Sequence, residues 1–307
     1  MARNLIPDIN ADLSELADYL ELRCWLDPEK SYSIRSARSA IAIESDEICI
    51  EGVDDDEDRL LRRLDDALSE INMRKSRCND KYPFIVDHNV VRLNEKVDPE
   101  VTYIYIYLLY ATVCNMGRKR IAKGIDGSAI FESLCASVSY SYFGPNTETL
   151  VFGTSSSGSF KDKVANLLNR LQEGGVYREP FGSNEMQKDG KLDIVAWKPF
   201  HDKRGGKLIA MGQCKTGTSW SDQLTQLQPT IFFQSYSTTS PFAPPVRLFF
   251  IADSCTNSKW EENCRYAGIL FDRNRIMDCI SEIPDELLEK INLWSSGIEE
   301  QLNSEYN

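Results

Sequence analysis

The sequence predicts a three-layer α/β (α+β) core with a central mixed sheet, joined to a smaller N-terminal α+β domain. Three observations carry this expectation. Two strand-like runs, KLDIVAWKPF and LIAMGQCKTG, follow one another about twenty residues apart. A third run, VRLFFIAD (246–253), is continuously apolar, as expected of a strand buried on both faces. Amphipathic, helix-spaced stretches lie on either side of these runs, an order that places helices against a sheet.

Taken along the chain, residues 8–23 have helical spacing, with apolar residues at 13, 16, 17 and 20 and Asp8 or Asn10 as caps. Residues 31–51 alternate and suggest strands. Residues 56–75 form the clearest N-terminal helix, with Leu60, Leu61, Leu64, Leu68 and Ile71 on one stripe. Strand-like runs fill 81–94, and 100–116 is an apolar segment suited to a buried helix or strand. The basic stretch GRKRIAKG (117–124) is a connector, which sets the expected domains at 1–118 and 119–307. In the second part, 126–144 reads as a helix ended by Gly144. The Ser/Gly loop 153–159 leads into an amphipathic helix over 160–175. After the two strands, TSWSDQLTQLQPT reads as a helix with Pro229 near its end. Residues 268–280 read as strand then helix, and 286–302 as a terminal helix.

Composition narrows the class. The 307 residues, 42% hydrophobic and 27% charged, give room for one large or two moderate domains. No apolar run reaches the ~18 residues a membrane span requires, and the N-terminus lacks a signal-peptide pattern. The nine cysteines make no CxxC pair and only two histidines occur, which argues against structural zinc and for reduced thiols in the cytoplasm. The net charge of −12 is unevenly spread: residues 1–118 hold 24 acids against 15 bases, and 119–307 hold 23 against 20. A protein so acidic binds nucleic acid weakly unaided, which points to help from a partner.

The chemistry-bearing residues converge on the two strands. Asp193 opens the first, while Gln213 and Lys215, two apart, project from the same face of the second. A carboxylate and a second oxygen donor can hold a hard divalent ion, and a lysine beside them can orient a water. Taken singly, each residue has a plainer role: Asp193 as a strand-start acid, Lys215 as an exposed strand-end lysine, and Glu132 as a solvent-facing helix residue. Gln213 is the exception, because burying an amide in an apolar strand is costly without partners. Other residues are weaker candidates. His201 lies in a polar loop and His88 has no evident partner. Cys214 as nucleophile would need a base that neither histidine supplies by position. The GTSSSGS loop lacks the GK[ST] of nucleotide-binding loops. Trp220 and Gln223 could touch a substrate, and Lys161, Lys163, Arg178 and Lys198 could contact a phosphate backbone.

Residues ~119–280 resemble the PD-(D/E)xK superfamily, the restriction-endonuclease-like nucleases. Asp193 matches the family's first acid and Lys215 its lysine. Gln213 stands where Asp or Glu is usual, as in the QxK variants. Gly127, Phe131, Glu132 and Leu134 match the G-x-x-F-E-x-L context of the family's helix glutamate, with one extra residue after the glycine. The resemblance implies a restriction-endonuclease-like core and a Mg²⁺-dependent endodeoxyribonuclease in which Mn²⁺ can substitute. Glu132, Asp193, Gln213 and the Cys214 backbone carbonyl would be ligands, and Lys215 would position water and stabilise the phosphate. It further implies a role in bacterial anti-phage defence, DNA as substrate and an ATPase or helicase as partner, with self-association possible and no membrane involved. An inert DNA-binding or assembly subunit, or an RNase, are the alternatives on the same fold.

Overall fold

The architecture comes from a computed structural model that describes residues 6–8, 10–44, 53–114, 116–153, 158–180 and 190–306. The N-terminal part contributes α1 (Leu13–Leu26), β1 (Ser31–Ser33), α2 (Ile34–Glu44), α3 (Val53–Arg77), β2 (Phe84–Asp87), β3 (Val90–Leu93) and α4 (Pro99–Val113). Asp12, rather than Asp8 or Asn10, caps α1, its carboxylate accepting from the Glu15 amide at 2.8 Å. Residues 34–44 are helical, not extended. Ile34, Ala37 and Ile41 are the buried residues there, spaced three and four apart, so the helical period prevails over the local alternation; residues 45–51 lie outside the described residues. β1, β3 and β2 form a three-stranded antiparallel sheet. Of the segment 100–116, residues up to Val113 belong to α4, capped by Asp98 and started by Pro99.

The second part begins with the short antiparallel pair β4 (Ile121–Ala122) and β5 (Ile125–Asp126), then α5 (Gly127–Phe143), β6 (Glu148–Val151) and α6 (Phe160–Leu171). β7 (Ile194–Trp197), β8 (Ile209–Lys215), α7 (Pro229–Tyr236), β9 (Val246–Ile251) and α8 (Asn257–Ala267) follow. β10 (Ile269–Phe271), α9 (Arg273–Cys279) and α10 (Asp285–Tyr306) complete it. α6 stops before the expected Gly174, because Gln172 takes the left-handed conformation (φ 55°) and caps it. Pro229 opens α7 instead of ending a helix, as its missing N–H suits a first turn. The stretch before it holds only a 3-10 turn, Ser221–Gln223.

The central sheet has the order β10-β9-β8-β7-β6 and is mixed. β10, β9 and β8 run parallel to one another, and β7 is antiparallel to both β8 and β6. Alternate residues face opposite layers. Ile194, Ala210, Leu248 and Phe250 join α5, α4, α9 and α10 on one side. Val195, Trp197, Ile209 and Met211 meet α6 and α7 on the other, and Phe249 and Ile251 meet Trp220 and Leu224. No helix among the described residues is long and apolar enough to cross a membrane.

One hydrophobic cluster runs from Ala11 to Leu302, so residues 1–118 and 119–307 share a core and buried contacts cross the expected boundary at 118. The strongest of these are ionic. Asp18 and Glu21 on α1, Arg74 on α3 and Arg273 on α9 are all wholly buried. Arg74 reaches Asp18 at 2.7 Å and Glu21 at 2.8 Å, and Arg273 reaches Asp18 at 2.8 Å. Arg273 also donates to the Ala252 carbonyl at 2.9 Å and to Thr112 at 3.0 Å. Tyr82 and Tyr105 donate to Glu21, and burial together with the Glu21 charge holds both phenols well above their ordinary pKa, so they stay donors. Burial opposes the charge of Arg74, but Glu21 and Asp18 outweigh it and raise its pKa further.

Removing one member strands a buried charge. Arg273→Met is therefore expected to lower stability by about 3–5 kcal/mol, measured as a fall in the urea midpoint. A fragment starting at residue 119 loses Asp18, Glu21 and Arg74 together, and circular dichroism on urea titration should show no cooperative transition.

Candidate functional site

Asp193 sits at a fork in the sheet. The β6–β7 ladder ends at the pair Val151–Ile194, and beyond it the amides of Phe152 and Gly153 both donate to the Asp193 carbonyl, at 2.7 and 3.0 Å. On its other side the Asp193 amide donates to the Gly212 carbonyl at 3.0 Å. The Asp193 carboxylate accepts the Cys214 amide at 2.7 Å, which ties it to β8. The β7–β8 ladder ends at the Ile194–Gly212 pair, so Asp193 lies just beyond the ladder, beside Gly212. A backbone held on three sides fixes this carboxylate where the strands part.

Glu132 reaches the same fork from α5. The apolar stripe Ile130, Phe131 and Leu134 packs α5 on the sheet and draws Glu132 in with it, leaving it 8% exposed. Its carboxylate lies against Gly153: a Cβ at position 153 would stand 2.4 Å from Oε1 and 2.6 Å from Oε2. Glycine is required here by close approach. Because Gly153 is itself bonded to the Asp193 carbonyl, Glu132 and Asp193 meet at one point in the fold.

One turn beyond Glu132, the Cys135 thiol lies close to the Cys214 thiol, bringing α5 to β8. Burial pushes the Cys214 thiol well up, with Cys135, Asp193 and Glu132 adding to the rise. Burial raises Cys135 as well. Both thiols therefore stay protonated near neutrality, which argues against Cys214 as a nucleophile.

Gln213 is wholly buried between β7 and β9. Its Nε2 donates to Gln226 Oε1 at 3.3 Å, while its own Oε1 has no hydrogen-bond partner among the described residues. Leaving a buried amide oxygen unpaired costs about 1–3 kcal/mol. Lys215, half-buried at the end of β8, accepts the Ala252 amide at 3.2 Å through its carbonyl. Its ammonium makes no hydrogen bond or ion pair among the described residues. Lys163 on α6 enters the same fork, donating to the Gly153 carbonyl at 2.9 Å.

These donors suit a hard cation. No group of three or more His, Cys, Asp or Glu side chains among the described residues is placed to hold a metal. The candidate donors are instead the two carboxylates Glu132 and Asp193, oxygen ligands of the kind Mg²⁺ takes; Gln213 turns its side chain to the layer of Met211 and Gln226, opposite to that of Cys214 and α5. The Cys214 backbone, whose amide Asp193 already engages, lies opposite Phe250 in the ladder.

The remaining candidates lie elsewhere. His88 is exposed at the β2–β3 turn, 2.9 Å from Asp87, and His201 is exposed on the 199–207 loop. Trp220 is a core residue whose indole donates to Asp253 at 3.0 Å, and Gln223 bonds the Ser219 carbonyl. Of the Ser/Gly loop, residues 154–157 lie outside the described residues. Sequence reasoning missed Gly153, Cys135 and Gln226. Gly153, which opens that loop directly after an apolar strand, was the one with a readable signal.

Gly153→Ala should force the Glu132 carboxylate aside and cost about 1–3 kcal/mol of stability. In a double-mutant cycle read by urea denaturation, Glu132→Ala should recover much of that loss, since removing the carboxylate removes the clash. Cys135 and Cys214 should resist alkylation by iodoacetamide at pH 7.5 in the folded protein and react after unfolding. Searches against protein-family models, curated proteins and solved structures returned no match.

Proposed function

We propose that this chain is a Mg²⁺-dependent endodeoxyribonuclease on a restriction-endonuclease-like core, with Mn²⁺ able to substitute. The observation that supports it most is the convergence of two carboxylate residues on Gly153, Glu132 by close approach and Asp193 through its backbone carbonyl. Two carboxylates held close together repel one another in an empty site and are favourable around a cation.

Glu132 and Asp193 would hold the ion, with the Cys214 carbonyl as a further oxygen. When bound, it would neutralise phosphate charge and lower the pKa of a water. Lys215, whose ammonium has no competing ion pair among the described residues, would orient that water and stabilise charge on the phosphate. Lys163, at the same fork, adds a second cation for the scissile strand. The mixed sheet with helices on both faces, and a carboxylate-bearing helix before the first site strand, agree with such a core.

A role in anti-phage defence in the cytoplasm, with an ATPase or helicase partner, belongs to the same reading. The acidic residues of the N-terminal part would dock that partner or repel DNA until it arrives. A second reading, an inert DNA-binding or assembly subunit, draws on Gln213 itself: the set holds two carboxylates where a third is usual.

The test is cleavage of plasmid and linear DNA, and of RNA, with Mg²⁺ or Mn²⁺. Nicking that Asp193→Ala, Glu132→Gln and Lys215→Ala each reduce about a hundredfold or more supports the enzyme. Calorimetric Mn²⁺ binding lost in Asp193→Ala provides a readout apart from activity. Metal binding without cleavage of any substrate would favour the inert subunit, and cleavage confined to RNA would redirect the substrate.

A further inference from the structure

At the other end of β6 and β7 from Asp193, a cavity of about 620 Å³ opens between the end of α6 and the loop 199–207. Its walls carry Arg170, Lys198, Phe200, His201, Lys203 and Lys207. The charge balance is unusual in a chain of net −12. Glu148 is the acidic residue in the lining, and it pairs with Arg170 at 3.2 Å. That leaves Lys198, Lys203 and Lys207 without a carboxylate partner among the described residues. The neighbouring acids are committed elsewhere. Glu173 accepts the amides of Gly206, Lys207 and Phe242, and Asp202 pairs with Arg204 at 3.6 Å.

Two of the lysines are held in place. Lys207, only 2% exposed, donates to the Leu171 carbonyl at 2.7 Å, closing the C-terminus of α6. Lys198 donates to the carbonyls of Gly144 and Pro145. A buried ammonium without a counter-charge is costly, and an anionic ligand would supply what the protein does not. Beside these cations Phe200 stands 58% exposed, a flat apolar face in a basic cavity.

We propose that this cavity is a binding site for single-stranded nucleic acid, with phosphates on Lys198, Lys203 and Lys207 and one base stacked on Phe200. Its position supports this. Lys198 and Asp193 are five residues apart on an extended strand, about 17 Å. α6 spans the same interval, with Lys163 at the Gly153 end and Arg170 at the cavity. A strand running from the cavity to the fork would therefore pass from Arg170 at one end of α6 to Lys163 near the other. The inference rests on a polynucleotide being the substrate, and does not require that it be cut.

The test is fluorescence anisotropy of a labelled twelve-nucleotide oligothymidylate with the full chain in EDTA, over a range of salt. Binding is expected to weaken about tenfold in Phe200→Ala. Lys203→Asn, chosen because asparagine tolerates the left-handed backbone there (φ 57°), should lower the salt slope by about 0.7. Urea midpoints for both variants should match the parent, since both side chains are exposed. Absence of oligothymidylate binding would overturn the proposal. So would binding that neither substitution changes, equal binding of a duplex of the same length, or equally effective displacement by polyglutamate. If these variants behave as expected while the metal-dependent cleavage assay is negative, the nuclease reading fails and the strand site stands. Cleavage with unaffected oligonucleotide binding in both variants gives the reverse.

Discussion

The buried ion network of Asp18, Glu21, Arg74 and Arg273 is the constraint on which the rest of the structure depends. It joins α1 and α3 to α9, and through the Arg273–Ala252 hydrogen bond it reaches the residue that follows β9. With the buried Glu70, which bonds Arg74 at 3.4 Å and Arg77 at 3.3 Å, three carboxylates meet the two buried arginines, and such charges in a dry interior are tolerable only when all are satisfied together. The tyrosines 82 and 105 and Thr112 complete that satisfaction. A network with so little slack fixes where the N-terminal helices sit against the sheet.

Its reach extends to the candidate site. The Ala252 amide donates to the Lys215 carbonyl, so the peptides on either side of Ala252 connect Arg273 to the end of β8. The N-terminal part therefore holds the strand ends that present Gln213 and Lys215. On the other side of the fork, the Cys135–Cys214 contact and the Gly153–Glu132 approach hold α5 to β8 and to the end of β6. Rigid supports on both sides suit a site in which small displacements would separate Glu132 from Asp193.

Charge is arranged as carefully as packing. The N-terminal part carries the acidic excess, and the second part, near neutral overall, places lysines at the two ends of β6 and β7, by the fork and around the basic cavity. Net charge alone hides this, because opposite charges elsewhere on the chain cancel what is locally an anion-attracting edge.

Long amphipathic or continuously apolar segments were legible in the sequence: α3, α5, β8, β9 and α10 follow from period and burial, Gln213 from a polar residue set in an apolar strand, and Asp193 from an acid opening the strand before it. Shorter elements were not. The helix at 34–44 and the helix begun by Pro229 depend on which face the rest of the fold covers, which local patterns do not encode. The Glu132 position shows the division most clearly. Sequence identified a glutamate on a helix, a residue type that usually faces water. Only tertiary packing turned it inward, because α5 must lie flat on the sheet and a glycine at 153 leaves room for a carboxylate. The sequence by itself determined the long helices and strands and the residue types available for chemistry. Which of them meet, and that one core spans both halves of the chain, was decided by long-range burial and charge pairing between segments over two hundred residues apart.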